Sequence, residues 1–177
     1  TYDLVEDEHD ASESIEMHVY SLTPDGELRW QVENFVDDLG HGSFAPEEPA
    51  ITDDGIIIVP GRNRLYALDP YDGEVIWQKD FVTPEGHRAG WVSSPAIDEN
   101  GYVYVNVDDS AGIYHGVHAI DPEDGSTIWY STAFEPDEIG PGSPSFDGEG
   151  HLYVGRGEGS PGSGGHYVYA IDTTDGS

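Results

Sequence analysis

The sequence predicts an all-β chain assembled from repeated antiparallel sheets of four strands, and three observations predict it. A strand–turn–strand motif, "YALDPYDGEVIW" (66–77), returns as "HAIDPEDGSTIW" (118–129), as "YAIDTTDGS" (169–177) and, one residue shorter, as "YSLTPDGELRW" (20–30). A second motif interleaves with it, as "PAITDDGIIIV" (49–59), "PAIDENGYVYV" (95–105) and "PSFDGEGHLYV" (144–154), so the chain repeats about every 50 residues. The runs flanking each Asp/Asn/Gly turn are β-branched or aromatic, the composition of strands.

Naming the strands of one repeat A to D, "TYDLV" (1–5) aligns as a B strand, with Val5 matching Val59, Val105 and Val154. The C strand around Ser21 and the D strand around Trp30 follow, so the first sheet lacks an A strand. Two full A-to-D sheets come next, then a last one with A, B and C, about fourteen strands in all. The expected units are a partial one at 1–36, full ones at 45–82 and 91–134, and a partial one at 141–177. In the C strands Tyr66 and Leu68 alternate with Leu65 and Ala67, so both faces are apolar and both need cover. A sheet covered on both faces by like sheets is a blade of a β-propeller. The expected fold class is therefore all-β, a β-propeller segment of about four blades, the first and last incomplete. Open edges invite pairing. The segment is thus expected to belong to a longer propeller, or to meet another chain at those edges.

The motif residues have structural tasks. Ala67, Ala119 and Ala170 are small where a neighbouring blade presses close, and Asp69, Asp121 and Asp172 suit turns as acceptors of backbone N–H groups. Gly73, Gly125 and Gly176 suit a positive φ in those turns. Trp30, Trp77 and Trp129 offer flat area to wedge between blades, with an indole N–H that seeks a carbonyl. The pattern Ala-x-Asp-x-x-(Asp)-Gly-x-x-x-Trp resembles the pyrroloquinoline-quinone-type (PQQ-like) propeller repeat, which usually has Thr where this chain has Asp72 and Asp124. The resemblance implies relatives among eight-bladed quinoprotein alcohol dehydrogenases, the propeller lipoprotein of bacterial outer-membrane barrel assembly, and extracytoplasmic sensor domains. It implies an extracellular or cell-surface location, and it implies fold far more firmly than function.

Charge narrows the partners. Asp and Glu number 36 against 6 Lys and Arg, a formal net charge of −30. Such a surface repels phosphates, so nucleic acid is not an expected partner. The carboxylates run along the whole chain, a distribution that resembles proteins of salt-loving organisms, where screening at molar salt removes their mutual repulsion. A low-salt protein drawing cationic partners or calcium is the alternative. With no cysteine, disulfides and thiolate sites are excluded. No apolar run reaches the length that spans a membrane as a helix. A start at Thr1 with no signal-peptide pattern leads us to expect a processed protein or an excised piece.

In an up-and-down blade the A–B and C–D turns share one face, and here those turns are short and acidic. The B–C and D–A loops share the other face, and their lengths differ from copy to copy, where binding usually resides. His9, His41, His87, His115 and His166 fall there, with Arg62, Arg64, Arg88 and Arg156. One reading is an anion-attracting or His-lined groove near the axis, with Arg62, Arg64, Arg88, Trp91, His115 and Arg156 as ligand-binding candidates. The other has the arginines neutralising neighbouring carboxylates, and Trp91 packing between blades. "EDEHD" (6–10) and Asp108 with Asp109 offer oxygens for a loose calcium or sodium site, against the default of a solvated acidic loop. "GRGEGSPGSGG" (155–165) lacks the Gly-Lys-Ser/Thr of a phosphate loop and reads as a flexible hairpin tip.

No nucleophile–base pair or zinc motif appears in the spacing. The dehydrogenases of the resembling family add a calcium-held quinone, a catalytic aspartate and often a disulfide of adjacent cysteines, none of which maps onto a matching position here. The expected function is a noncatalytic binding or assembly scaffold, taking a protein or small-molecule ligand on the B–C/D–A loop face. The alternatives are a segment of a quinoprotein alcohol dehydrogenase, with PQQ and calcium held in the full-length protein, and the ligand-sensing ectodomain of a signalling protein.

Overall fold

A computed structural model of the chain describes residues 2–5, 14–36, 47–82, 89–108, 116–131, 138–139, 142–158 and 166–177. Every regular element among them is a strand, and the strands form four antiparallel sheets in chain order. The first holds β1 (Tyr2–Val5), β2 (Ser14–Leu22) and β3 (Leu28–Val36). The second holds β4 (Ala50–Ile51), β5 (Ile57–Pro60), β6 (Arg64–Leu68) and β7 (Val75–Asp80) as a simple meander.

The third and fourth sheets differ from the expectation in one respect. In the third, β8 (Trp91–Val92) and β9 (Ala96–Ile97) both pair with β10 (Val103–Asp108), followed by β11 (Gly116–Ile120) and β12 (Thr127–Ser131). In the fourth, β13 (Glu138–Ile139) and β14 (Ser145–Phe146) both pair with β15 (His151–Glu158), which also pairs with β16 (His166–Asp172). The A strand is thus broken in two, which makes sixteen segments of the expected fourteen strands. The break falls before Pro95, and before Pro144 in the fourth sheet, because proline has no N–H for the ladder. Ser93 repairs the third sheet there: its N–H donates to Asn106 O (2.9 Å) and its Oγ accepts from Asn106 N (2.9 Å). The fourth sheet also begins earlier than residue 141, at Glu138.

Each gap between sheets has its own core, because alternate residues of a strand point into different gaps. Val59, Tyr66 and Leu68 of the second sheet pack with Val19 and Val32 of the first. From its other face Ile58, Leu65, Ala67 and Trp77 meet Val92, Val103, Val105 and Ile120 of the third. From the third sheet's far face Tyr104, Val117, Ala119 and Trp129 meet Leu152, Val154 and Ile171 of the fourth. The innermost strands converge, with β9 beside both β4 and β14. Sheets stacked face to face with their first strands together are propeller blades, and the four do not form a closed ring.

Candidate functional site

At the turn end of the blades, side-chain carboxylates close the turns by accepting backbone N–H groups. In the second sheet's C–D turn, Asp69 Oδ1 accepts Tyr71 N (2.7 Å), Asp72 Oδ1 accepts Glu74 N (3.0 Å), and Gly73 N returns to Asp69 O (2.9 Å). The third and fourth sheets repeat this with Asp121, Asp124 and Gly125, and with Asp172, Asp175 and Gly176. The preceding sheet's tryptophan lies on each turn. Trp30 Nε1 donates to Pro70 O (3.0 Å), Trp77 Nε1 to Pro122 O (2.7 Å) and Trp129 Nε1 to Thr173 O (2.9 Å). The glycines have positive φ, and their second constraint is room: a Cβ on Gly73, Gly125 or Gly176 would come within 2.7, 2.7 or 2.6 Å of the Cε3 of that tryptophan.

Ala67 and Ala119 are fully buried in register with Trp77 and Trp129, whereas Ala170 in the fourth sheet is exposed. Lys79 adds a second bridge at the same level, donating to Gly125 O (3.0 Å), and half-burial pulls its ammonium below the ordinary lysine range. The A–B turns are closed by side chains too. Asp98 Oδ1 accepts Asn100 N and Tyr102 N (each 2.9 Å), and its Oδ2 accepts the buried Tyr104 hydroxyl (3.0 Å). Burial, and then the Asp98 charge, push the Tyr104 phenol up.

At the loop end, Arg62 crosses from the second sheet to the third, its Nε donating to Gly90 O (3.2 Å). The neighbouring Trp91 is half-buried in β8, opposite Asp108 of β10. Arg62, Trp91 and the Asp108 backbone therefore come together at one seam. Arg64 stands apart: it opens β6, opposite Asp80 of β7, and its guanidinium pairs with the Asp80 carboxylate beside the Tyr66 ring. Arg156 lies inside β15, opposite Tyr167, and not in a loop, because the β15–β16 ladder runs on to Gly157 and His166. Arg88, His115 and Asp109 lie outside the described residues, as do the side chains of Asp108 and Arg156.

Sequence reasoning missed a line of polar contacts along the broken inner strands. Ser94 Oγ lies 2.8 Å from Glu47 Oε2 and 2.7 Å from Glu48 Oε2, and accepts Glu48 N (3.0 Å), tying the second sheet to the third. Asn106 Nδ2 donates to Gly142 O (3.3 Å), tying the third to the fourth. The signal was present in the prolines that interrupt these strands. It also missed His118, buried in β11 with its ring stacked on Tyr130 (5.6 Å) and edge-on to Phe81 (5.2 Å). Burial, with the Lys79 charge beside it, lowers its pKa to about 3, so the ring is neutral.

Among the described residues these contacts join neighbouring sheets through side chains and backbone carbonyls. Among the described residues no three His, Asp or Glu side chains are grouped to hold a metal ion.

No protein-family model and no curated protein sequence matches the chain. Its structure is similar to the crystal structure of BamB from Moraxella catarrhalis, with a TM-score of 0.57 at 18% identity over 85% of this chain. The match spans 38% of the BamB chain. At that identity the likeness shows the fold, and the fold is a β-propeller.

Proposed function

We propose that this chain is a noncatalytic PQQ-like propeller segment from a halophile, serving at the cell surface as a binding or assembly scaffold within a larger ring. The observation that carries this is the division of labour between the two ends. At the turn end, carboxylates and tryptophans are consumed by backbone N–H groups and carbonyls, which makes the end stiff. At the loop end, the repeats diverge and an arginine crosses a seam beside a half-buried tryptophan. The likeness to BamB, a propeller, supports a scaffold role coarsely. The ligand-binding face is the loop end around Arg62 and Trp91, and its occupant is a protein or small molecule rather than nucleic acid.

Affinity capture from an envelope extract at molar salt tests this reading. The chain is expected to retain a partner that Arg62→Glu loses and Tyr71→Ala, on the turn end, keeps. Equal capture by both variants would sink the loop-end assignment. Dye-linked alcohol oxidation by the protein supplied with PQQ and calcium would overturn the noncatalytic reading. The halophilic reading expects the melting temperature to rise steeply from millimolar to molar salt, as screening relieves a net charge of −30.

A further inference from the structure

Aspartate precedes glycine six times in the chain, at 25–26, 54–55, 72–73, 124–125, 147–148 and 175–176. This pair is open to attack of the backbone on a side-chain carboxyl, because glycine puts no Cβ beside its own nitrogen. In five of the six the fold occupies that nitrogen. Gly26 N donates to Thr23 O, Gly55 N to Thr52 O, Gly73 N to Asp69 O, Gly125 N to Asp121 O and Gly176 N to Asp172 O, all at 2.9–3.0 Å. Gly148 N donates to no group among the described residues. The other five glycines close their turns, whereas Gly148 follows Asp147, the residue that opens the A–B turn of the fourth sheet.

The carboxyl beside it is set for attack. Asp147 Oδ1 accepts Glu149 N (2.6 Å) and His151 N (3.1 Å), two donors that stabilise negative charge on that oxygen as its carbon turns tetrahedral. Oδ2 lies 3.2 Å from His151 Nδ1, which places a proton donor on the oxygen that must leave. The Glu149 N–H above all, with the His151 N–H and imidazole, holds the carboxyl below the usual carboxylate range, so it reacts as the ion and takes its proton from His151. The third sheet's copy lacks both the glycine and the imidazole. Asp98 makes the same two bonds, to Asn100 N and Tyr102 N, but Glu99 follows it and the Tyr104 hydroxyl holds its Oδ2. The Asp147 and His151 side chains are 24% and 49% exposed, so water reaches them.

We propose that Asp147–Gly148 is a self-modification site, at which the Asp147 side chain closes on the Gly148 nitrogen to a succinimide that water reopens to isoaspartate. In the first step the nitrogen lone pair forms the bond from Gly148 N to Asp147 Cγ, and the Cγ–Oδ2 bond breaks. Oδ2 departs as water, with one proton from the His151 imidazolium and one from Gly148 N. In the second step water adds to either imide carbonyl, giving aspartate again or isoaspartate. Isoaspartate carries the main chain through Cβ, which takes the Oδ1 acceptor from Glu149 N and His151 N and loosens the β14–β15 hairpin.

Ageing the folded chain in molar salt, then mapping its peptides by fragmentation that separates isoaspartate from aspartate, tests this. Isoaspartate is expected to build up at Asp147 about two- to tenfold faster than at Asp25 or Asp54, the rate equivalent of the one backbone hydrogen bond those sites must first break. It should lag further at Asp72, Asp124 and Asp175, whose glycines also lie under a tryptophan. In urea all six junctions are expected to react at similar rates, which separates the fold's contribution from that of local sequence. The proton donor has its own readout. An unaided carboxylate reacts at a rate independent of pH above its own titration, because the proton it needs and the one glycine loses cancel. With an imidazolium as donor the rate falls from about pH 5 to 8, as imidazoles lose their proton. That fall is expected in the parent and absent in His151→Gln, which is also slower at Asp147 alone. The charged groups that face His151 among the described residues are Asp147 on its own hairpin and Asp172 across the β15–β16 ladder. Isoaspartate spread evenly over the six junctions of the folded chain, its absence at Asp147 once the chain in urea has formed it, or the same preference for Asp147 in urea overturns the proposal. So does a pH profile that His151→Gln leaves unchanged.

Discussion

Gly26 and Gly73 sit in the same turn of successive repeats, both with positive φ (86° and 79°), yet their surroundings are opposite. Gly73 lies under Trp30 and Val32, with no space for a methyl group; Gly26 has open space above it. The difference teaches that the Asp-Gly turn is a local device of the backbone, whereas the clasp is a property of two blades. A turn glycine is conformationally convenient in every copy, and it is sterically required only where a tryptophan from the preceding blade covers it.

Substitutions on either side of that divide give a graded series. Removing the clasp itself should cost most: Trp77→Ala opens the gap between the second and third sheets and is expected to destabilise by about 3–5 kcal/mol in chemical unfolding. Gly125→Ala should follow, since the left-handed backbone costs about 1–2 kcal/mol and the collision with Trp77 a further 1–3 or so. A Gly125→Ala loss no greater than that of Gly26→Ala would break the comparison.

Acid should act on the same gap. His118 is neutral in the fold and has its ordinary pKa when unfolded, so its stabilisation is intact above about pH 6.5. Below that the unfolded chain gains a proton that the fold refuses, and stability falls progressively until the folded pKa of about 3. By pH 5 the loss is about 2 kcal/mol, and His118→Phe should flatten the slope over this window. Hydrogen exchange should show β11 and β12 loosening before the first sheet does. The smallest effect belongs to Gly26→Ala, about 1 kcal/mol from φ alone.

Much of the fold was readable because the turn chemistry is local. Asp, Gly and the flanking β-branched runs mark the turns and strands within a dozen residues or so, and apolar residues on both faces of Tyr66–Leu68 imply cover on both sides. That each tryptophan seeks a carbonyl was readable, but which carbonyl it reaches was not, because a backbone acceptor in the next repeat leaves no trace in residue type. The divided inner strands were hidden for a related reason: Ser93 and Ser94 look like loop residues until Asn106 and the Glu47–Glu48 pair are placed beside them. His118 was overlooked since it occupies a position held by tyrosine in the other copies. In the candidate site, the pairing of Arg64 with Asp80 depends on strand register, and the approach of Arg62 to Gly90 depends on how two sheets stack. Charge and sequence spacing carry neither.

The tryptophan clasps all run one way, each indole bonding a carbonyl 40, 45 or 44 residues toward the C-terminus. On a ribosome this makes folding a ratchet. Each blade waits for a single later segment, and once that segment emerges the earlier one is locked without reference to anything still unmade. Closures of such limited span keep the search short at every step.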